Sequence, residues 1–303
     1  MTDIKPTTYR GRFAPSPTGE VHFGTLVAAV GSYLQAKKNN GKWLIRIEDV
    51  DVTRTVKNAD RDILNTLEAF GFEWHDEVIY QSEHTHYYLE ALHRLNAELL
   101  TFPCTCTRKQ LTKTNADIYP GTCRDKPAPK HYDYAIRLMA NDTEIIFCDA
   151  VMGQQSQNIK QQCGDFIIKR RDGLFAYQLA VVVDDALQGI TEVVRGNDLL
   201  DSTPRQIYLQ QLLHYPTPNY CHLPLAVDVT GKKISKSAGT ANIDINIKEK
   251  TLCDVLRFLG QQPPAEIIES NIHDIWHWAI KHWQLNQIPQ KRHITQIQNT
   301  KHV

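Results

Sequence analysis

Hydrophobic residues recur at helical spacing in the first hundred residues. After a polar, proline-rich start, the segment from Leu26 to Gly41 carries apolar side chains three and four residues apart, and its glycine can end a helix. The segments 60–71 and 87–100 have the same period and predict amphipathic helices whose apolar faces pack into a core. The pattern predicts three more helices further along the chain, over 199–213, 248–260 and 264–285.

Short apolar, β-branched segments between the helices predict strands. The segments 42–47 (KWLIRI) and 190–197 (ITEVVRGN) fit this pattern. The segment 174–185 (LFAYQLAVVVDD) is apolar on both faces and is predicted to return to the sheet as a buried parallel strand. Three short segments between 132 and 168 predict the strands of a small inserted subdomain. A strand, a loop, a helix and a second strand in succession predict an α/β fold.

Three tryptophans lie in the last predicted helix, at Trp276, Trp278 and Trp283. This spacing cannot place all three on one helical face, so at least one is exposed or packs on a neighbouring part of the protein. We expect packing against the α/β domain, with stacking on RNA as the alternative.

Composition and charge narrow the class of protein only slightly. The chain has 303 residues, of which 42% are hydrophobic and 22% charged, as in ordinary globular proteins. Basic and acidic residues number 34 each, and this balance neither indicates nor excludes a nucleic-acid partner, for which a local basic patch is enough. Because no segment resembles a membrane span or a secretion signal, we expect a cytoplasmic protein without membrane contact.

Two segments carry residues suited to phosphate. Arg10–Thr25 (RGRFAPSPTGEVHFGT) joins a strand end, a proline-rich loop and a helix N-terminus, where backbone N–H groups and the helix dipole favour a polyphosphate. There the His22 imidazole can donate to a phosphate oxygen, and Gly24 lets a ligand approach the backbone. In the second segment, Gly231–Ser237 (GKKISKS), Lys236 supplies a compact cation for pyrophosphate. Either segment alone is typical of a surface loop, but together they predict a nucleotide site.

Three of the seven cysteines lie close together in the chain, at Cys104, Cys106 and Cys123. Closely spaced thiols between tight turns are typical of a structural zinc site, which needs four ligands. The residues alone leave buried cysteines without metal as an equal alternative. They also leave the fourth ligand open, with His131 a chemically usual but more distant choice. The remaining cysteines are expected to be core residues: Cys148, Cys163, Cys221 and Cys253.

Five motifs in order resemble those of class I aminoacyl-tRNA synthetases. PSPTGEVHFGT is similar to the HIGH signature and KKISKS to the KMSKS signature, while FAPSPTG, WLIRIEDVD and FAYQLAVVVDD narrow the resemblance to the glutamyl/glutaminyl branch. The match runs from about Tyr9 to Ser237, most of the chain. The resemblance implies a Rossmann-type parallel sheet with an inserted, zinc-containing, acceptor-binding-like subdomain and a C-terminal helical segment. We therefore expect a catalytic domain in two halves, residues 1–100 and 173–240. The insert would lie between them at 101–172, and a C-terminal helical subdomain would follow at 241–303.

The resemblance also implies roles for the matching residues. His22 and Lys236 are implied as catalytic residues that position ATP and neutralise its charge. The implied glutamate-binding residues are Arg12, Ala14, Ser16, Glu48, Tyr177 and Arg195. The implied ATP-binding residues are Pro15, Gly19, His22, Gly24, Thr25, Lys233, Ser235 and Lys236. The implied ligands of one structural zinc ion are Cys104, Cys106, Tyr119 and Cys123, with His131 as the alternative to the tyrosine.

Three side chains in the implied glutamate site carry charge. The resemblance assigns the substrate's α-ammonium group to Glu48, its γ-carboxylate to Arg195 and its other carboxylate to Arg12, since a guanidinium suits a carboxylate bidentately. An arginine at the carboxyl end of a buried strand is costly unless it is paired. The alternative for Arg195 is therefore an internal ion pair with Asp184, Asp185 or Asp198.

The implied reaction converts glutamate, ATP and Mg²⁺ into glutamyl-adenylate and pyrophosphate, and then transfers the glutamyl group to tRNA. Two positions depart from the signatures: Thr25 replaces the second histidine of HIGH, and Lys233-Ile234 replaces the lysine-methionine pair of KMSKS. Thr25 can donate a hydrogen bond but carries no charge, which puts the strength of ATP binding in question and not the reaction class.

The segment after the GKKISKS loop, residues 238–303, is too short for the anticodon-binding domain of an ordinary glutamyl-tRNA synthetase. The chain therefore most resembles short paralogues that attach glutamate to queuosine, the modified wobble base of tRNA(Asp). We expect a monomeric ligase whose partners are L-glutamate, ATP and the anticodon region of tRNA(Asp).

Three other functions are compatible with parts of this pattern. The first is a shortened glutamyl-tRNA synthetase that charges a tRNA 3′ end. The second is an RNA-binding paralogue without catalysis, which the presence of His22, Glu48, Arg195 and Lys236 argues against. The third is a small-molecule adenylyltransferase, which the glutamate-site residues and the cysteine-rich insert argue against.

Overall fold

The computed structural model describes residues 8–113, 118–127, 134–228 and 243–295. The strands in these ranges are β1 (Arg10–Phe13), β2 (Lys42–Ile47), β3 (Ile79–Tyr80), β4 (Thr101–Cys104), β5 (Ala135–Leu138), β6 (Glu144–Asp149), β7 (Gly153–Asn158), β8 (Phe166–Lys169), β9 (Glu192–Gly196), β10 (Asn219–Leu223), β11 (Leu225–Val227) and β12 (His293–Thr295). The α-helices are α1 (Phe23–Lys38), α2 (Ala59–Ala69), α3 (Thr85–Ala97), α4 (Arg108–Lys113), α5 (Tyr177–Leu187), α6 (Thr203–Leu212), α7 (Lys248–Phe258) and α8 (Ile272–His282). None of the helices in these ranges is both long and apolar enough to cross a membrane.

A central sheet holds seven of the described strands, in the order β3-β2-β1-β9-β10-β6-β7. Neighbouring strands run parallel except β7, which returns antiparallel to β6. β2 and β3 lie on one side of β1, and β9, β10, β6 and β7 lie on the other. Such a switch point leaves a crevice at the carboxyl ends of the strands, where α/β proteins bind ligands. The predicted α/β class is confirmed.

Most of the predicted elements are present where the pattern placed them. The predicted strands 42–47 and 190–197 are β2 and β9, and the helices predicted after the proline-rich loop and over 60–71 and 87–100 are α1, α2 and α3. The helices predicted over 199–213 and 248–260 are α6 and α7. The apolar period of α1 buries Leu26, Val27, Val30 and Leu34 against the sheet.

The prediction of a buried strand over 174–185 is wrong, because the chain forms helix α5 from Tyr177 onwards. This helix buries every residue from Leu179 to Asp185, so its apolar side chains surround the helix on all sides. A helix that is enclosed in this way has no amphipathic period, and its sequence cannot be told from a buried strand by pattern alone. The β-branched residues Val181–Val183 have a preference for strands, but packing of this segment against α3 and α6 stabilises the helix instead.

The strands predicted between 132 and 168 divide between two sheets. β5 and β8 pair antiparallel with each other, and β5 also pairs with β4, which gives a separate three-stranded sheet. β6 and β7 form a hairpin that instead joins the central sheet, where Asp149 lies in register with Tyr220 of β10. The sequence pattern did not indicate this division, because pairing partners far apart in the chain decide it.

The helix predicted over 264–285 is interrupted. A short 3₁₀ turn, Ala265–Glu269, precedes α8, and Asn271 lies between them in extended conformation. The Asn271 side chain accepts hydrogen bonds from the backbone N–H groups of His273 and Asp274, so it caps a new helix. An asparagine at this position stops one helical segment and begins the next.

Two of the three C-terminal tryptophans are buried, and both pack against elements from the N-terminal part of the chain. The Trp276 indole N–H donates to the Phe70 carbonyl at 2.7 Å. The centre of its ring lies 4.9 Å from the ring centres of Tyr33 and Phe72. The Trp283 indole N–H donates to the Gln35 side chain at 2.8 Å. The C-terminal helices are therefore part of the same packed unit as α1 and β2.

We expect replacement of Trp276 by alanine to lower the free energy of unfolding by about 3–5 kcal/mol, because it empties a buried site in this aromatic cluster. Trp278→Ala in the same helix is the matched control, since Trp278 is only partly buried. Urea unfolding followed by tryptophan fluorescence and circular dichroism measures both variants. Equal losses in the two variants would contradict the role given to Trp276.

Candidate active site

The cavity at the carboxyl ends of β1, β2 and β9 has a volume of about 980 Å³. It collects predicted site residues that are far apart in the chain. The residues of the predicted sites that line it are Arg12, Ala14, Pro15, Ser16, Gly19, His22, Gly24, Thr25, Glu48, Tyr177 and Arg195. Lys233, Ser235, Lys236 and His131 lie outside the described residues.

The proline-rich loop holds its histidine against the start of α1. His22 is the N-cap of this helix, and its Nδ1 atom accepts a hydrogen bond from the Thr25 backbone N–H at 3.2 Å. In the neutral imidazole this leaves the proton on Nε2, which can donate to a phosphate oxygen. A side chain at Gly24 would place its Cβ 3.2 Å from the His22 ring, so the imidazole would have to shift by a few tenths of an ångström to accommodate it.

Arg12 lies under the loop and is paired with a carboxylate. Its Nε and Nη2 atoms donate to the two oxygens of Asp185 at 3.0 and 3.3 Å, and both side chains are buried. Burial alone would raise the pKa of the Asp185 carboxyl, but the guanidinium groups of Arg12 and Arg46 hold it below its usual range. The alternative in which Asp185 pairs with Arg195 is wrong, because Asp185 binds Arg12 and Arg46.

A second buried arginine, Arg46 of β2, was missed in the sequence. Its Nη1 atom lies 2.8 Å from Asp185, its Nη2 atom 3.5 Å from Glu48 and its Nε atom 3.9 Å from Asp184. The signal was present, since Arg46 is the only charged residue in the interior of a strand that is otherwise apolar. A buried charge of this kind requires partners.

Asp184 is also saturated with partners and is not bound to Arg195. It accepts hydrogen bonds from the Gln81 amide at 2.6 Å and the Tyr88 hydroxyl at 2.7 Å, and it lies 2.6 Å from Nδ1 of His84. These contacts extend the buried charge network from β2 to α3.

Glu48 follows β2 and lines the cavity with a nearly buried side chain. Burial raises the pKa of its carboxyl group, and the nearby guanidinium groups of Arg46 and Arg12 offset this only in part. The ionised carboxylate is therefore held in an unfavourable environment, which a bound cationic group would improve.

Arg195, at the end of β9, is buried and held by uncharged acceptors. Its Nε atom donates to His222 at 3.0 Å, its Nη1 atom to the Tyr177 hydroxyl at 3.3 Å, and its Nη2 atom to Thr203 at 2.8 Å and the Leu199 carbonyl at 3.3 Å. Within residues 8–113, 118–127, 134–228 and 243–295, no carboxylate forms an ion pair with it. The positive charge of Arg195 is thus available to an anionic ligand in the cavity.

The three clustered cysteines come together in space. The Sγ atoms of Cys104, Cys106 and Cys123 lie within 4.8 Å of one another, and the last two are 3.5 Å apart. The Tyr119 hydroxyl lies 3.4 Å from Cys104 Sγ and 3.8 Å from Cys106 Sγ, next to the thiols. A tetrahedral zinc ion with Zn–S bonds of about 2.3 Å would separate its sulfur ligands by about 3.8 Å, so this donor set fits zinc.

One of these thiols is already predisposed to ionise. Burial raises the pKa of Cys123, but hydrogen bonds from the Tyr119 hydroxyl, the Thr105 backbone and the neighbouring thiols outweigh it and lower the pKa to about 6. A thiolate is the form that binds metal.

The remaining cysteines lie apart from this cluster. Cys221 and Cys253 are buried, and Cys163 is partly buried. The expectation that Cys148 is a core residue is wrong. It is exposed because it lies on the open face of the β6–β7 hairpin at the sheet edge.

Residues 8–258 match the family of class I tRNA synthetases (E and Q), catalytic domain. The chain belongs to this family.

Individual relatives match almost the whole chain. The glutamyl-Q tRNA(Asp) synthetase of Aromatoleum aromaticum is 47% identical over 96% of this chain and 94% of its own length. The protein of the same name from Dechloromonas aromatica is 49% identical over 93% of this chain and 96% of its own length.

Solved structures of related synthetases have the same fold. The glutamate-tRNA synthetase of Elizabethkingia anophelis superposes with a TM-score of 0.80 and 25% identity, over 96% of this chain and 68% of that structure. A glutamate tRNA ligase from Elizabethkingia meningosepticum, solved in complex with its amino acid, gives a TM-score of 0.76 and 25% identity, over 93% of this chain and 66% of that structure.

We expect Glu48→Gln to raise the melting temperature at neutral pH. A carboxyl group whose pKa is raised in the folded state destabilises the fold as the pH rises above the ordinary range of glutamate, because ionisation then costs more in the folded chain. Below that range both states are protonated, and the difference between variant and parent should vanish. Thermal unfolding from acidic to neutral pH tests this, with Glu20→Gln at an exposed position as the control. A variant less stable than the parent at neutral pH would contradict it.

Proposed function

We propose that this protein activates L-glutamate with ATP to form glutamyl-adenylate, and transfers the glutamyl group to queuosine at the wobble position of tRNA(Asp). The observation that carries the proposal is the similarity, over almost the whole of both chains, to relatives named glutamyl-Q tRNA(Asp) synthetase. We expect it to work as a monomer in the cytoplasm.

The charges of the cavity complement a bound glutamate. Arg195 is assigned to the γ-carboxylate, because none of its described partners neutralises it. Glu48 is assigned to the α-ammonium group, which would compensate its buried carboxylate. Arg12 is assigned to the α-carboxylate, since its bonds to Asp185 use two N–H groups of the five that a guanidinium offers. Three uncharged residues complete the site: Ala14, Ser16 and Tyr177.

ATP is assigned to the loop that precedes α1. Its phosphates would lie at the helix N-terminus, where His22 and Thr25 can donate to them and the helix dipole favours negative charge. Pro15 and Gly19 lie in this loop and Gly24 in the first turn of α1, and we also assign Lys233, Ser235 and Lys236 to the phosphates. Mg²⁺, when bound, would neutralise phosphate charge during the reaction.

The two chemical steps need positioning more than acid–base catalysis. In the first, a carboxylate oxygen of glutamate attacks the α-phosphorus of ATP, and pyrophosphate leaves. In the second, a hydroxyl group of queuosine attacks the carbonyl carbon of the adenylate, and AMP leaves. Fixing the carboxylate against ATP and neutralising the phosphates lower the first barrier.

A structural zinc ion is proposed for the insert, held by Cys104, Cys106, Cys123 and the Tyr119 hydroxyl. The arrangement of the three thiols around that hydroxyl supports these ligands. The ion would tie β4 to the following loop and would take no part in the reaction.

We expect labelled glutamate to enter bulk tRNA only when that tRNA contains queuosine, and to remain after the tRNA 3′ adenosine is removed. The test compares tRNA from cells with and without queuosine, in the presence of ATP. The Lys236→Ala variant, expected to lose the activation step, is the control for adenylate-dependent labelling.

Other outcomes have definite meanings. Label that does not depend on queuosine and is lost with the 3′ adenosine would make the protein a tRNA-charging enzyme. Intact ATP–pyrophosphate exchange without any label in tRNA would mean that the acceptor is another molecule.

We expect purified protein to contain one zinc ion per chain, and Cys123→Ser to lose it and to unfold at a lower temperature, because the metal ties β4 to the loop that follows it. Cys148→Ser is the control, since Cys148 is exposed and lies outside the cluster. Metal analysis by mass spectrometry and thermal unfolding give the two readouts. Full zinc content in Cys123→Ser would exclude this residue as a ligand.

A further inference from the structure

Beside Arg195, across neighbouring strands of the central sheet, lie two buried side chains that the proposed reaction does not use. Nε2 of His222 accepts the hydrogen bond from Arg195 Nε at 3.0 Å, and Nδ1 of His222 lies 2.6 Å from Oδ2 of Asp149. His222 and Asp149 are both 1% exposed or less. The three residues lie on β9, β10 and β6, adjacent strands of the central sheet, and His222 is in register with Arg195.

The hydrogen bonds fix the protonation of this imidazole. Nε2 of His222 lies 3.0 Å from Arg195 Nε and 3.2 Å from the Thr203 hydroxyl. A hydroxyl can donate or accept, but a guanidinium can only donate, so Nε2 is the unprotonated acceptor and Nδ1 carries the proton. The Nδ1–H group then donates to the carboxylate of Asp149. The other oxygen of Asp149, Oδ1, is held by the backbone N–H groups of Val151 at 3.1 Å, Met152 at 2.8 Å and His222 at 3.1 Å.

This arrangement separates the orientation of Arg195 from the neutralisation of its charge. Arg12 in the same cavity is bound directly by a carboxylate. Arg195 is bound by the neutral imidazole ring of His222, and the carboxylate of Asp149 contacts the other nitrogen of that ring. The guanidinium is therefore held in one orientation while its charge stays available to the cavity.

We propose that Asp149 and His222 are positioning residues: by fixing the histidine tautomer, Asp149 keeps Nε2 an acceptor that aims the Arg195 guanidinium at the side-chain carboxylate of the amino-acid substrate. The role given to the substrate carboxylate rests on the proposed function. The tautomer itself follows from the geometry and does not depend on that function.

The effect of Asp149→Asn on the hydrogen bonds can be predicted, because three backbone N–H groups bind the Oδ1 position. The asparagine must keep its carbonyl oxygen there, which places its NH₂ group against Nδ1 of His222. Two donors cannot face each other, so the proton moves to Nε2, where it opposes the Arg195 Nε–H group. The substitution therefore removes the hydrogen bond to Arg195 without changing a residue that contacts Arg195.

We expect Asp149→Asn to raise the KM for glutamate in ATP–pyrophosphate exchange by about 10- to 100-fold, the scale of one hydrogen bond to a charged group. The KM for ATP should stay within about twofold, and kcat should change less than the KM for glutamate. The double variant Asp149→Asn with His222→Gln should recover much of the lost glutamate affinity. The glutamine carbonyl can accept a hydrogen bond from Arg195 whether residue 149 is aspartate or asparagine. Asp165→Asn, a buried carboxylate paired with Arg124 in the insert, is the matched control and should leave the KM for glutamate unchanged.

A direct measurement on the unmodified protein does not require any variant to fold. ¹⁵N NMR of the histidine rings, with His222 assigned by the loss of its signals in His222→Gln, should show the Nδ1–H tautomer at neutral pH. An Nε2–H tautomer or an imidazolium would overturn the proposal. So would a double variant, Asp149→Asn with His222→Gln, that binds glutamate more weakly than Asp149→Asn alone.

The outcomes separate this proposal from the proposed function. Absence of glutamate-dependent exchange in the unmodified protein would reject the proposed function and with it the substrate role given to Arg195. The NMR result would still decide whether Asp149 fixes the His222 tautomer. Normal exchange with an unchanged KM for glutamate in a folded Asp149→Asn variant would reject the positioning role alone.

Discussion

The position of the cavity depends on one buried carboxylate, Asp185, placed between two guanidinium groups. It binds Arg12 of β1 and Arg46 of β2, so it ties two neighbouring strands to helix α5 at the level where the sheet ends. Burying three charges is costly, and the cost is offset only while all of them remain paired and hydrogen-bonded. Removing one partner from such a group typically costs about 3–5 kcal/mol, since the others are left buried without compensation. The network therefore specifies where the strands end relative to the helix more than it adds stability.

The same network determines how much charge the cavity offers a ligand. Asp185 neutralises Arg12 directly, whereas Arg195 on the adjacent strand β9 is bound by His222, Tyr177 and other uncharged acceptors. The two arginines are therefore not equivalent, although the sequence gives no sign of the difference. A ligand carboxylate beside Arg195 would gain a charge-assisted contact that no carboxylate of the described chain already supplies.

Local patterns could predict much of this molecule from its sequence. The loop before α1, strand β2 with Glu48 after it, and Arg195 at the end of β9 all lie where the hydrophobic pattern and the motifs placed them. The pattern failed where burial is complete, as in α5, because a segment enclosed on all sides has no polar face to reveal its period. The pattern also could not show that Asp149 contacts His222. That contact forms because the β6–β7 hairpin joins the central sheet and not the three-stranded sheet of β4, β5 and β8.

The helical structure of α5 determines which residues its polar side chains can reach. Consecutive residues of a strand point to opposite faces of the sheet, so a strand would have sent Asp184 and Asp185 in opposite directions. In a helix they are about 100° apart, and both can face the same side of the sheet. This allows Asp185 to reach Arg12 while Asp184 accepts hydrogen bonds from Tyr88 and its neighbours. The helix also begins at Tyr177, which places that hydroxyl beside the guanidinium of Arg195. One helical segment thus supplies the counter-ion for one arginine of the cavity and an uncharged partner for the other.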